Sequence, residues 1–240
     1  MQKCFLRGNI SIGIVELSAR ESHHLRNVMR THVGEKVVAL NGKGTVAHGK
    51  LVEIANGHAL IEIETVTKVE RPARVVSLLQ AILKNAHCDH IVREATAIGV
   101  SEIVFFEAQN TECRLRGKVA DRLTRWETIA IEACKQSGNP FLPKISYHEK
   151  LEIVALDDFV TGIFGGLSAG ARPLKVAIAD NFSGGSIGVA IGPEGDFSTH
   201  EYNFLRKNRF VECRLSRNIL RSETAAIYAL CALDQLLTDD

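Results

Sequence analysis

The chain of 240 residues has no dominant charge: 29 Lys and Arg stand against 28 Asp and Glu, a formal net charge of +1. A global basic field of the histone-like kind is excluded, although a local basic patch is not. No apolar run approaches the roughly 18 residues that a membrane-spanning helix needs. The opening MQKCFLRGNI has no apolar core followed by a cleavage site, so no secretory signal is read there. Cys4, Cys88, Cys113, Cys134, Cys213 and Cys231 form no Cys-x-x-Cys pair. They read as small core residues rather than as a zinc ribbon. No Gly-x-Gly-x-x-Gly opens a helix after a strand and no Gly-x-x-x-x-Gly-Lys-Ser/Thr occurs, which speaks against a nucleotide-dependent enzyme. Internal repeats and low-complexity tracts are also missing. Together these absences predict a soluble cytoplasmic protein with reduced thiols and no metal site.

What is present is ordinary globular material, 45% hydrophobic and 24% charged. The length allows one large domain or two small ones, with a sizeable core. The rhythm changes near residue 72, which predicts domains at 1–72 and 73–240. In the first, Ser18-Ala19-Arg20-Glu21 reads as a capping box opening a helix whose Leu25, Val28 and Met29 share a face. Strands follow at Lys36–Leu40, Thr45–Ile54 and Ala59–Val66, punctuated by Asn41-Gly42 and Asn56-Gly57. Such closely joined strands imply a small barrel or curled sheet.

Beyond Pro72, apolar strands alternate with helices, as in a parallel sheet covered on both faces. Strands are expected at Val75–Leu79, Ile103–Phe106, Leu174–Ala179 and Ile187–Ile191. Helices are expected from about Ala86 to Ile98 (closed by Gly99), Lys118 to Gln136, and Glu223 to Leu237 after an N-cap at Ser222. The Gly-rich stretch 157–172 reads as a loop region. The first part holds ten Lys or Arg against seven Asp or Glu, a net +3, and five of the nine histidines. The remainder holds 19 against 21, a net −2. A small basic module beside an α/β domain is one pattern of a nucleic-acid-modifying protein; an accessory barrel with a chance excess of charge is the other reading.

Two stretches can carry chemistry. Ile191-Gly192-Pro193-Glu194-Gly195-Asp196-Phe197 leaves a buried strand through a turn whose glycines let backbone approach a ligand. Leu215-Ser216-Arg217-Asn218-Ile219-Leu220-Arg221-Ser222-Glu223-Thr224-Ala225 enters a helix whose free N–H groups can receive an acceptor. Taken singly, each reads as a capped strand-to-helix connection with a solvated charge. His87 and His90 have a spacing that also suits a metal, but on a helix they read as a solvated face.

Taken together and in order, the motifs resemble the SPOUT superfamily, and within it the bacterial 16S rRNA uridine-N3 methyltransferase family. The resemblance rests on Glu21-Ser22-His23-His24-Leu25-Arg26-Asn27-Val28-Met29-Arg30 with Gly34-Glu35, on Lys84, on Ala95–Val100, on Trp126, on Glu132–Ser137, and on the two stretches above. It covers nearly the whole chain. Cys113, Asn139 and Asn218 stand where the family pattern differs, and Ser216 replaces a glycine.

The resemblance implies an α/β fold: a PUA-like RNA-binding β-barrel at 1–72 and a SPOUT domain with a deep trefoil knot at 73–240. It implies S-adenosylmethionine as cofactor, small-subunit rRNA as substrate and a homodimer. The implied cofactor loops are Ile191, Gly192, Pro193, Glu194 and Gly195, then Leu215, Ser216, Ile219, Leu220 and Thr224, with Ala179 beside them. Arg221 is the implied stabiliser of developing negative charge, and Glu194 or Glu223 the implied proton acceptor. Arg7, His24, Arg26, Arg30, Lys84 and Arg114 are the implied RNA contacts; by spacing, Arg26 and Arg30 share a helix face, as do His24 and Asn27. Two alternatives stay open: a non-enzymatic RNA-binding or ribosome-assembly protein, and a related methyltransferase with another RNA target.

Overall fold

Residues 1–237, apart from Asn56 and Asn85, are described by a computed structural model. The Asn56-Gly57 turn signal therefore lies partly outside the described residues. Contacts divide the chain into one unit of Met1–Arg71 with Ile131–Leu142 and another of Pro72–Ala130 with Pro143–Asp240.

The first unit is a sheet of five strands: β1 (Gln2–Phe5), β2 (Gly13–Glu16), β3 (Lys36–Leu40), β4 (Thr45–Ala55) and β5 (His58–Lys68). Their order is β1-β3-β4-β5-β2, with β1 parallel to β3 and the other pairs antiparallel. Alternation along β5 buries Ala59, Ile61 and Ile63 while Glu62 and Glu64 face Lys50 at 2.8 and 3.4 Å. The register of β4 slips at His48/Gly49 and again at Leu51/Glu53, and such bulges bend and twist a strand.

Strand β3 is buried on both faces. Val37 and Ala39 join Leu17, Leu25 and Ile61 in the central cluster. Val38 and Leu40 join Phe5, Ile131 and Leu142 in another. That second cluster explains why the distant segment 131–142 belongs to this unit. A bridge between Lys43 and Phe141 and the bonds Gly44 N–H to Pro140 O (3.0 Å) and Leu142 N–H to Gly42 O (2.9 Å) complete the attachment.

Helix α1 (Ala19–His23) is shorter than expected. Ser18 accepts from the Glu21 N–H at 3.3 Å, but the Glu21 carboxylate does not return to Ser18, so only half of the capping box forms. Instead its Oε2 accepts the Phe5 N–H at 2.9 Å and its Oε1 meets Lys135 Nζ at 3.0 Å. The next turn widens to a π-type turn at His24–Val28, with the Met29 N–H reaching the His24 carbonyl at 3.0 Å. Val28 is thereby exposed rather than sharing the buried face of Leu25. Arg30, at φ 53°, leaves helical geometry altogether, so Arg26 and Arg30 do not share a helix face.

The second unit contains β6 (Val75–Ala81), α2 (His87–Ile98), β7 (Glu102–Phe106), the start of α3 (Val119–Ser137), β8 (Lys144–His148), β9 (Thr161–Gly165), β10 (Arg172–Pro173), α4 (Leu174–Asn181), β11 (Ser186–Ile191), α5 (Thr199–Lys207), β12 (Phe210–Arg214) and α6 (Ser222–Leu237). The sheet runs β10-β12-β9-β11-β6-β7-β8, and every pair is parallel. Side-chain alternation sends Leu79, Phe106, Phe164 and Ala190 into a cluster with Phe197, Leu205 and Phe210. On the other face Phe105 stacks on Trp126 at 4.1 Å, and the Trp126 indole N–H bonds Asp89 Oδ1 at 3.1 Å. Gly99 closes α2 in the left-handed conformation, φ 104°.

Two expectations are corrected. The segment from Leu174 is helix α4, not a strand: Leu174, Ala177 and Ile178 are buried, an i, i+3, i+4 stripe. A short apolar run does not by itself distinguish a buried strand from a helix. Strand β9 lies inside the stretch read as loop. Its Gly162 lies in register with Phe210, whose ring covers it so closely that an added Cβ would stand 2.3 Å from Cδ2. The glycine that weakens the sequence signal is what admits the aromatic ring.

The Glu21–Lys135 pair is 6% and 4% exposed. Lys135→Ala is expected to destabilise the protein by about 3–5 kcal/mol, read as a lower midpoint in urea, because an unpaired carboxylate remains buried. The double replacement Glu21→Gln with Lys135→Met is expected to recover most of that loss.

Candidate active site

Strands β12, β9, β11 and β6 are neighbours in the sheet and run in the same direction, so their carboxyl ends open on one edge. A cleft of about 560 Å³ lies there. Its walls are the Gly165–Leu167 turn after β9, the Ile191–Glu194 turn with Asp196 after β11, and the connection from β12 into α6; Lys84 and His87 come from the segment after β6. A crevice beyond the carboxyl ends of parallel strands is where open α/β sheets bind ligands, and the volume suits a small organic ligand.

Each wall is pinned by polar contacts. The Ser222 hydroxyl donates to the Gly192 carbonyl at 2.5 Å and accepts from the Gln80 side-chain N–H at 3.0 Å. It thus ties β6, the β11 turn and α6, and its bonds do not cap its own helix as expected. Tyr202 donates its hydroxyl to Asp196 Oδ2 at 2.9 Å and receives the Leu167 N–H at 3.2 Å, linking two walls. Burial, with the bond to Asp196, pushes the Tyr202 phenol up to about 12, against the opposing Leu167 N–H. Glu212 accepts from the Ser168 N–H at 3.1 Å and pairs with Arg206 at 2.6 Å. Burial pushes its carboxyl up, yet the Arg206 and Ser168 bonds outweigh this and hold it below the usual carboxylate value. Burial pushes the Cys213 thiol, in the cleft wall, up to about 12, so it is a neutral wall residue rather than a thiolate nucleophile.

Of the residues singled out in the sequence, Arg221, Glu194 and Glu223 all line this cleft. Arg221 and Glu194 are exposed; the Glu223 side chain is 13% exposed and meets His87 Nδ1 at 3.3 Å. Ile191, Gly192, Pro193, Leu215, Ser216, Ile219 and Leu220 line it as well. Ala179, Gly195 and Thr224 are not among its lining residues. Ala179 is on the exposed side of α4, Thr224 on the exposed side of α6, and Gly195 lies against Asn110, whose side-chain amide donates to the Gly195 carbonyl at 3.2 Å.

Lys84, expected as an RNA contact, lines the cleft. Its ammonium pairs with Glu112 at 2.8 Å, and that hydrogen bond, with Glu112 and Glu194 nearby, raises its pKa. Arg114 is held at 2.9 Å by the buried Glu107, which also accepts from Tyr147 and the Leu115 N–H. Arg7, Arg26 and Arg30 are exposed on the first unit, and His24 is half-buried. Sequence reasoning missed Gly165–Leu167, His87, Asp196, Cys213, Arg214 and Ser222 as wall residues. The Gly165-Gly166 pair ending an apolar segment was the available signal for the first of these.

A family model described as an RNA methyltransferase domain matches residues 70–234, and one described as an RNA methyltransferase PUA domain matches residues 17–64. The ribosomal RNA small subunit methyltransferase E 2 of Borreliella burgdorferi is 31% identical, over 98% of this chain and 95% of its own. The ribosomal RNA small subunit methyltransferase E of Bacillus subtilis is 27% identical, over 90% and 88%. Among solved structures, a ribosomal RNA small subunit methyltransferase E from Neisseria gonorrhoeae bound to S-adenosyl methionine superposes with a TM-score of 0.84 at 26% identity, covering 98% of each chain.

Ser222→Ala leaves the Gly192 carbonyl and a Gln80 N–H unpaired in the interior. The expected loss is about 1–3 kcal/mol of stability, read as a lower thermal midpoint, with Ser222→Thr closer to the parent protein.

Proposed function

Because this chain belongs to the RNA methyltransferase family, we propose that it transfers the methyl group of S-adenosylmethionine to N3 of a decoding-region uridine in small-subunit rRNA. The coarser activity, S-adenosylmethionine-dependent methylation of small-subunit ribosomal RNA, is that of the relatives it matches along nearly their whole length. The finer assignment to uracil N3 follows the family pattern in the two glycine- and leucine-rich turns. One observation carries the reading: Arg221, Glu194 and Glu223 converge on one cleft at the carboxyl ends of four adjacent parallel strands.

The residues present fit this cofactor. Ile191, Leu215 and Leu220 offer apolar surface, Gly192 and Pro193 offer closely approachable backbone, and Glu194 is an exposed carboxylate beside them. Bound there, S-adenosylmethionine supplies an electrophilic methyl group on a sulfonium. The protein's own contribution is largely positioning. Uracil N3 carries a proton at neutral pH, and its loss places negative charge on the ring oxygens. The Arg221 guanidinium binds that charge as it develops, and a carboxylate of the cleft supports removal of the proton.

The domain at 1–72 serves RNA capture, with Arg7, His24, Arg26 and Arg30 meeting phosphate; Arg114 serves alongside them only if it leaves Glu107. The chain acts in the cytoplasm as a homodimer. The exposed Ile219, Tyr228 and Leu236 on and beside α6 support a self-contact. No helix among the described residues is long and apolar enough to cross a membrane.

Labelled S-adenosylmethionine and small subunits lacking the modification test the reading, with nucleoside analysis of the product. The expected product is 3-methyluridine, and Arg221→Ala is expected to lower kcat by about 10²–10³-fold, as removal of a charge-stabilising donor does. Transfer to a different RNA or base would reassign the target. Absence of both transfer and cofactor binding would leave a non-enzymatic RNA-binding protein.

A further inference from the structure

His87 begins α2 and Glu223 sits in the first turn of α6, two helices that pack together. Both side chains line the cleft. His87 Nδ1 stands 3.3 Å from Glu223 Oε1, with the histidine 35% exposed and the glutamate 13%. A carboxylate beside Nδ1 favours the tautomer that carries its proton there, and leaves Nε2 as a bare acceptor. Among the described residues Nε2 has no hydrogen-bond partner. This is the arrangement by which an oriented imidazole accepts a proton from a reacting group.

Resting on the reading of this cleft as the site of uracil methylation, we propose that His87 accepts the N3 proton of uracil and that Glu223 is its positioning residue. The competing carboxylate, Glu194, is exposed at the cleft wall, and no side chain among the described residues positions it as Glu223 positions His87. The other charged groups of the cleft wall are Lys84, Asp196, Arg214 and Arg221. On the histidine's own helix, Asp89 is engaged by Arg125 and Trp126, and His90 faces Glu94 at 3.7 Å.

The step balances without a further reactant. The N3–H bond breaks and its proton passes to Nε2 of His87. The freed electron pair forms the N3–C bond while the methyl–sulfur bond breaks and its pair remains on sulfur. The sulfonium charge disappears as the imidazolium charge appears, next to the Glu223 carboxylate that stabilises it. Release of the proton to water resets the histidine.

Two measurements test this. Nitrogen-15 NMR of histidine-labelled protein reads the tautomer without turnover. The expected result is a proton on Nδ1 of His87 that Glu223→Gln redistributes; a proton on Nε2 in the parent protein would overturn the proposal. Single-turnover transfer to small subunits, with cofactor affinity measured in parallel, reads the role. His87→Gln is expected to bind cofactor and to slow transfer at neutral pH by about 10²–10⁴-fold. Its rate then climbs with hydroxide concentration, because only uracil already ionised at N3 reacts. A variant with the parent rate and pH profile, or one slowed equally at every pH, would overturn the assignment. If the parent protein methylates no RNA while the NMR shows the expected tautomer, the methyltransferase reading itself has failed, and the role of His87 with it.

Discussion

The Ser222 hydroxyl holds together parts of the chain that are far apart in sequence. It donates to the carbonyl of Gly192 after β11 and accepts from the amide of Gln80 at the end of β6, while its own backbone begins α6. Four parallel strands end along this edge, and the loops leaving them have no sheet partners to fix their shape. Buried polar groups must be paired or they cost stability, so a few buried side-chain bonds suffice to select one arrangement of the loops. Tyr202 does the same between Asp196 and Leu167, and Glu212 between Ser168 and Arg206. The cleft is thus preorganised by residues that are mostly not the ones expected to touch a substrate.

The first unit solves a similar problem with charge. Glu21 receives both the Phe5 N–H and the Lys135 ammonium, fastening α1 to β1 and to the segment near residue 135. The motif glutamate that the sequence suggests as a capping residue is spent on this long-range pair. A buried ion pair adds little net stability over an apolar pair of similar volume, but it penalises any arrangement in which one partner is left alone. Its contribution is therefore to the uniqueness of the fold.

The chemistry of the cleft follows from uneven burial. Arg221 and Glu194 are exposed at the cleft wall, whereas Glu223 is nearly covered and faces an imidazole. Burial keeps the Cys213 thiol protonated. The exposed charges are open to solvent, and the shielded Glu223 carboxylate acts on its neighbour through a field less screened by water.

Regular periodicity was readable from the sequence alone. Strands β3, β4, β5, β6, β7 and β11 and helices α2, α3 and α6 are close to their expected limits, because an alternating or 3.6-residue apolar pattern reports burial directly. The two turns carrying Arg221, Glu194 and Glu223 were also legible, since glycine, proline and helix-start residues have local conformational meaning. What failed was local pattern under tertiary override. The run from Leu174 is equally apolar as strand or helix, and β9 hides behind glycines that exist to admit the Phe210 ring. His87, Ser222, Tyr202 and Gln80 gave no local sign of their roles, because each role is a distance to a residue remote in the chain. Sequence determined which segments are regular and which turns are chemically equipped. Only the tertiary structure decided which side chains meet, because the polar pairings that select one packing depend on three-dimensional proximity and leave no period in the sequence.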